Sequence, residues 1–293
     1  MTWSTIDGVR VSYANNILRE NVNITIPEGI VVIIGPNGVG KSTMISIMEG
    51  LTRIDNKDKV EVCGFSPYKK PEKAFVDVSF LPERSVGITG GTVKQWVQYY
   101  SLLRSVSSDK FASLLSIFDI EYVLSQKWKN LSNGEIQLVS NILCLSTRAK
   151  FFVMDEPNAN LDIINRMRLA KVMRDMRKNE SSSFLVTSHM LDEILPVSDF
   201  VIVVGKNSIS GPLSLSDNSE KGGFIVLGVI NPDLVYDALK GRFELEINDH
   251  EITVKNSNLK ELITGIDTEL LGNITSIHRF PSYLEGVLNF KKD

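Results

Sequence analysis

Cysteine and histidine are scarce in this chain of 293 residues, which holds only Cys63 and Cys144 and only His189, His250 and His278. The two cysteines stand far apart in apolar or mixed sequence and form no metal-binding spacing, so they read as reduced core residues of a cytoplasmic protein. So few histidines argue against a histidine-rich metal site. Charge of one sign is missing as well: 32 basic residues meet 35 acidic ones, for a formal net charge of -3. That balance argues against a broad nucleic-acid-binding surface. No apolar stretch approaches the ~20 residues that span a bilayer. Residues 1–10 also lack an apolar signal segment, and the reading is a soluble chain. No internal repeat is visible.

The chain does hold an apolar run that leads straight into a glycine-rich turn, Val31-Val32-Ile33-Ile34-Gly35-Pro36-Asn37-Gly38-Val39-Gly40-Lys41-Ser42-Thr43. The spacing Gly-x-x-x-x-Gly-Lys-Ser after a buried strand is that of a phosphate loop. Gly35, Gly38 and Gly40 let the backbone curl with positive φ, so that successive amides aim at phosphate oxygens. Lys41 is expected to reach the β and γ phosphates of a nucleoside triphosphate, and the Ser42 hydroxyl to ligate Mg²⁺. A helix beginning near Lys41 would turn its positive end toward the same anions.

Around this loop the first 64 residues read as β-rich, with alternating segments at 9–13 and 22–26. From 92 to 150 the pattern turns helical: Val93, Trp96, Val97 and Tyr100 recur at helical spacing, as do Leu114, Leu115 and Phe118, and both sets are assigned to core. Two buried-strand signals follow at 151–154 and 184–187, separated by a charged helix near 165–178, an alternation that belongs to an α/β sheet. The polar stretch 205–223 reads as a linker. Beyond it a small α+β unit is predicted, with strands at 224–230, 243–247, 252–255 and 274–280. Its helices are expected after Asn231-Pro232-Asp233, at 259–266, and after Pro281-Ser282.

A second chemical element is Phe151-Phe152-Val153-Met154-Asp155-Glu156-Pro157. Alone it would read as a strand with an acidic turn. Downstream of a phosphate loop it places two carboxylates at the carboxyl end of a sheet, where an open α/β fold binds its ligand. Asp155 is then expected to hold Mg²⁺ through water, and Glu156 to polarise the attacking water.

Between these elements stands Leu131-Ser132-Asn133-Gly134-Glu135. Taken together, the ordered motifs resemble the ATP-binding cassette (ABC) ATPases of transporters, whose signature is usually Leu-Ser-Gly-Gly-Gln. The resemblance covers roughly residues 1–215. It implies a P-loop NTPase of the ABC type, with a RecA-like core, an antiparallel β subdomain and a helical subdomain near 84–150, joined to a small α+β carboxyl-terminal domain at 216–293. It implies further that Tyr13 stacks on adenine, that His189 contacts the γ phosphate as a switch, and that Leu161-Asp162 lie where two cassettes meet. Glu83 occupies the place of a family glutamine that reaches Mg²⁺, and it adds negative charge there. Asn133 replaces a signature glycine, a position where tolerance of left-handed geometry would help. Glu135 replaces Gln and suits the first turn of a helix.

The same resemblance implies a mechanism. Two cassettes pair head to tail, each ATP held between the phosphate loop of one and the signature residues Ser132 to Glu135 of the other. The chain is thus expected to work as a homodimer or with a paired cassette subunit. It would close on two Mg-ATP, open on hydrolysis, and drive a separate transmembrane permease subunit from the cytoplasmic face of the membrane, through a groove near 83–92. The ending 279–288 is similar to one found on many exporter ATPases, which points to export, and it reads equally well as an ordinary capped helix. A soluble cassette ATPase acting as a switch, and a nucleotide-binding regulator without turnover, are the alternatives.

Overall fold

The alternating amino-terminal segments form strands longer than the sequence suggests, β1 (Thr2–Tyr13) and β2 (Asn16–Pro27). They pair antiparallel with four register shifts between named pairs, and each shift breaks the two-residue alternation from which a strand is read. Next come β3 (Ile30–Ile34), α1 (Lys41–Met48) and β4 (Val60–Val62). The last of these completes a three-stranded sheet of order β2-β1-β4. The computed structural model describes residues 2–13, 16–34, 38–83, 91–188, 194–204, 209–214, 223–255, 262 and 273–281. It divides into two units, Met1–Leu213 and Ser214–Asp293.

The first unit continues through α2 (Pro71–Ala74), β5 (Val78–Leu81), α3 (Val93–Arg104), α4 (Ser108–Phe118) and α5 (Asn133–Leu145). It ends with β6 (Phe151–Asp155), α6 (Ile163–Glu180), β7 (Ser183–Thr187), β8 (Phe200–Val204) and β9 (Ile209–Ser214). Six strands make one sheet of order β5-β6-β7-β3-β8-β9. Strand β3 runs parallel to β7 and β8, and β6 runs parallel to β5 and β7. Every residue of β3, β6 and β7 is buried, as strands covered on both faces must be. One core joins the two sheets: Ile24 and Val60 of the small sheet pack in a single cluster with Val31, Phe151 and the α1 residues Met44 and Met48. Trp3 stacks on Phe151 with ring centroids 5.5 Å apart. The fold is a mixed α/β architecture around a parallel sheet.

Several sequence expectations need correction. The stretch 205–223 is not wholly a linker, because β9 occupies part of it as the outermost strand of the six-stranded sheet. An edge strand tolerates the Gly and Pro of that segment, since one side of its ladder stays unpaired. Of the helical set assigned to core, Val93 is fully buried, but Trp96, Val97 and Tyr100 are only half-buried. Trp96 instead stacks on Tyr99 and meets Trp128 edge-on. Cys144 is buried as expected, whereas Cys63 is half-buried; neither is in a disulfide.

In the second unit β10 (Gly223–Val229), α7 (Pro232–Leu239), β11 (Glu244–Asn248), β12 (Glu251–Lys255) and β13 (Ile274–Pro281) follow in turn. The strands form an antiparallel sheet of order β11-β12-β10-β13. Asn231 caps α7 by accepting from the Leu234 amide, with Pro232 in the first turn. Val235 and Leu239 of α7 pack on Ile225, Leu227, Ile252 and Val254. The helices expected at 259–266 and after Pro281 lie outside the described residues, apart from Leu262.

Candidate functional site

The site lies at the carboxyl edge of the six-stranded sheet. Because β5, β6 and β7 are parallel neighbours, their last residues come to one edge: Leu81 pairs with Met154, and Asp155 pairs with Thr187. Glu83 and Glu156 therefore leave adjacent strands, each two residues beyond the Leu81–Met154 pair. Strand β3 ends at the same edge and delivers the chain toward α1. Within the loop, Gly38 and Gly40 have φ of 80° and 101°. Gly40 caps α1 and has no side chain with which to accept from the helix's first amides. Those amides are suited to an anion.

Gly38, Gly40, Lys41, Ser42 and Thr43 line one open cleft with Glu83, Glu156 and Ala159. Its volume is about 400 Å³. Lys41 is 7% exposed, while Ser42 and Glu83 are exposed and Glu156 is half-buried. Val39 packs against the core beneath. Asp155 is buried at the end of β6 and accepts a short hydrogen bond from the Thr187 hydroxyl. That same hydroxyl accepts from the Glu156 amide at 2.9 Å. Glu156 itself adopts φ of 49°, a left-handed conformation that a non-glycine residue holds only when its surroundings impose it. At the far end of α1 the Glu49 carboxyl is pushed up by burial first and by the charge of Asp155 second.

The donors at this edge are hydroxyl and carboxylate oxygens, the hard ligands that Mg²⁺ prefers. Two lining carboxylates stand with buried Asp155 at this edge, and among the described residues Lys41 is the one cation lining the cleft, a balance that suits a bound divalent cation. The residues present fit Mg²⁺.

Ser132, Asn133, Gly134 and Glu135 are not among the residues lining that cleft. Ser132 caps α5 in a reciprocal capping box: its hydroxyl accepts from the Glu135 amide at 3.3 Å, and the Glu135 carboxylate accepts from the Ser132 amide at 2.7 Å. The Ser132 hydroxyl donates to the same carboxylate at 2.8 Å, and so does Tyr122. These bonds, led by the Ser132 amide, hold the Glu135 carboxyl below its ordinary value, and the Tyr122 phenol is raised by its bond to Glu135. Asn133 is the first helical residue of α5, so the left-handed tolerance expected there is not used. Asp162 caps α6, accepting from the amide and the side chain of Asn165, each at 2.8 Å. It stands outside the cleft lining as well.

Gly35, Pro36, Asn37 and His189 lie outside the described residues, as does the side chain of Tyr13, whose backbone ends β1. Three residues that organise the site escape a reading of the sequence. Thr187 was visible only as a polar end to an apolar strand. Gln137 and Asn141 are buried on α5 and both face the Pro157 carbonyl; their signal was a polar pair four residues apart within an apolar helix.

Residues 19–159 match the family described as ABC transporter. The chain is 28% identical over 203 residues to the zinc import ATP-binding protein ZnuC of Haemophilus ducreyi, covering 69% of this chain and 72% of that protein. It is 24% identical over 288 residues to YdbJ of Bacillus subtilis, an uncharacterized ABC transporter ATP-binding protein, covering 96% of this chain and 92% of that one. Among solved structures it resembles an ATP-binding subunit of an ABC transporter with a TM-score of 0.65 and 21% identity, over 74% of this chain and 91% of the other.

Proposed function

We propose that this chain, which carries an ATP-binding domain of the ABC transporter family, is the ATP-hydrolysing subunit of a transporter and powers a separate transmembrane subunit. The family binds ATP and implies its hydrolysis. One observation carries the reading: the phosphate-loop residues, Lys41, Ser42, Glu83 and Glu156 line a single cleft at the carboxyl edge of a parallel sheet, where such folds take their ligands.

In this reading the loop from Gly35 to Gly40 wraps the phosphates, Asn37, Val39 and the glycines with their amides and Pro36 by shaping the turn without a donor, joined by Thr43. Lys41 neutralises the β and γ phosphates. Ser42, Asp155 and Glu83 would hold Mg²⁺, which when bound offsets charge on the transferred phosphoryl group. Thr187 orients Asp155, because its hydroxyl donates to the carboxylate. Glu156 orients and deprotonates water, His189 contacts the γ phosphate, and Tyr13 stacks on adenine. Residues 1–215 form the nucleotide-binding domain and 216–293 an accessory domain.

Pairing follows from incompleteness. Ser132 to Glu135 stand apart from the cleft of their own chain, which supports their completing the site of a second cassette, in a homodimer or with a paired subunit. Beside Asp162, the start of α6 exposes Ile163, Ile164 and Met167 at 62%, 60% and 61%, an apolar surface suited to that contact. Among the described residues no helix is long and apolar enough to cross a membrane, so attachment to the cytoplasmic face is assigned to the transmembrane partner. Direction is argued from two sides: the ending 279–288, most of it outside the described residues, supports export, and the zinc import relative supports import.

Phosphate release from Mg-ATP, measured together with co-purification from membranes, tests the reading. Turnover together with capture of a multi-span membrane protein is the expected result. No turnover would favour a nucleotide-binding regulator, and turnover with only soluble partners would favour a soluble switch. Substrate flux in inside-out vesicles then decides direction. Ser132→Arg is expected to spare nucleotide binding and abolish ATP-driven dimerisation by light scattering.

A further inference from the structure

We propose that Asn141, assisted by Gln137, is a positioning residue for Glu156, through a two-amide grip on the Pro157 carbonyl. The Asn141 side-chain amide donates to that oxygen at 2.9 Å and the Gln137 amide at 3.4 Å. The two residues are four apart on α5 and so lie on one face of the helix. A carbonyl only accepts, so the amide nitrogens must be the atoms turned toward it. The inference rests on the water-orienting role of Glu156.

Glu156 is held from both sides. On its amino side the Glu156 amide is tied to Thr187; on its carboxyl side the peptide after Pro157 is tied to α5. Between these anchors Glu156 takes a left-handed conformation, with φ of 49°, and Asn160 takes another just beyond them, with φ of 60°. Within the turn the Ala159 amide donates to the Glu156 carbonyl at 3.0 Å and the Leu161 amide to the Asn158 carbonyl at 3.3 Å. Such a conformation relaxes unless its surroundings over-determine it. The grip supplies that constraint, and it ties the turn to the helix that Ser132 caps and whose first turn holds Asn133 to Glu135. A shift of α5 is therefore passed to Glu156.

Asn141 is an expensive way to fill its position. It is fully buried, and among the described residues its Oδ1 has no hydrogen-bond partner. A buried polar atom left unpaired opposes folding, and an apolar side chain of similar volume would not. A polar residue that costs stability beside a reacting group is where a functional requirement is expected to override local packing.

The test uses the full chain with Asn141→Leu and Gln137→Met, each alone and combined with Glu156→Gln, so that either variant that folds carries it. Asn141→Leu is expected to lower kcat about 10- to 100-fold, the scale of a displacement near 1 Å. KM for ATP should stay within about twofold, because the phosphate loop is untouched. In the Glu156→Gln background the same change should lower kcat no further. Hydrogen exchange at 156–161 in nucleotide-free protein should accelerate. An unchanged kcat, or an equal fold-loss in both backgrounds, overturns the proposal. If Glu156→Gln alone hydrolyses at the wild-type rate, the role of Glu156 fails instead; exchange then decides the grip by itself, and unaltered exchange overturns it.

Discussion

Gly134 approaches the carbonyl of Asn160 so closely that a β-carbon on it would stand 2.9 Å from that oxygen. The first turn of α5 thus rests directly on the turn that follows Glu156. A glycine inside a helix ordinarily costs about 1 kcal/mol relative to alanine. Here the sign reverses, because overpacking against a fixed carbonyl costs roughly 1–3 kcal/mol. Gly134→Ala should therefore lower the melting temperature followed by circular dichroism. A rise would show that the contact yields.

Lys41→Ala should abolish tight Mg-ATP binding, since it removes the cation expected to touch the β and γ phosphates. Lys41 is largely buried at the start of α1, so the truncated position cannot be refilled by a mobile surface lysine. Fluorescent nucleotide titration at fixed Mg²⁺ measures it, and an unchanged dissociation constant would remove the phosphate-loop assignment.

The two acids at the end of β6 should fail differently. Glu156→Gln keeps the shape and removes a charge beside the γ phosphate; turnover should drop about 10²- to 10⁴-fold, the usual share of general-base catalysis, and a closed ATP-bound dimer should accumulate. Asp155→Asn weakens the bond from Thr187 and should lower Mg²⁺-dependent binding with no stable dimer. Phosphate release and gel-filtration mass in Mg-ATP, taken for both variants, separate the roles.

Much of this was legible from the residues. The phosphate loop, the acids at the end of β6 and the place of Glu135 in the first turn of a helix announce themselves because each depends on local spacing. Strand β9 was not read, because it carries Gly211 and Pro212, which mark turns everywhere except at a sheet edge. The ends of β1 and β2 were missed where register shifts interrupt alternation. Thr187, Gln137 and Asn141 were invisible for a different reason: their partners Asp155, Glu156 and Pro157 are 16 to 32 residues away in sequence, and only the folded sheet brings them together.

The capping box at α5 gives a pH signature. The Glu135 carboxyl lies below its ordinary value of 4.5, chiefly through the Ser132 amide. A lowered carboxyl contributes stability that is fully present above the ordinary value and is lost as pH falls through the lowered one. Wild type should exceed Glu135→Gln by roughly 0.3–1 kcal/mol at pH 7, the usual worth of a carboxylate at a helix start. The gap should close in acid below 4.5. A difference in melting temperature that persists unchanged into acid would mean that the charge contributes nothing.

The pairing of Ile30 with Phe184 also governs how the chain is made. The strand that leads into the phosphate loop waits 154 residues (184 − 30) for its first parallel neighbour in sequence. At the ribosome's pace of about 5–20 residues per second that is roughly 8 to 30 seconds. During that interval Ile30 to Ile34, wholly apolar, have no sheet to enter, and the nascent chain must be shielded from its own kind. Synthesis that stalls before Ser183 would yield a fragment with its phosphate-binding sequence complete and no folded edge to hold it.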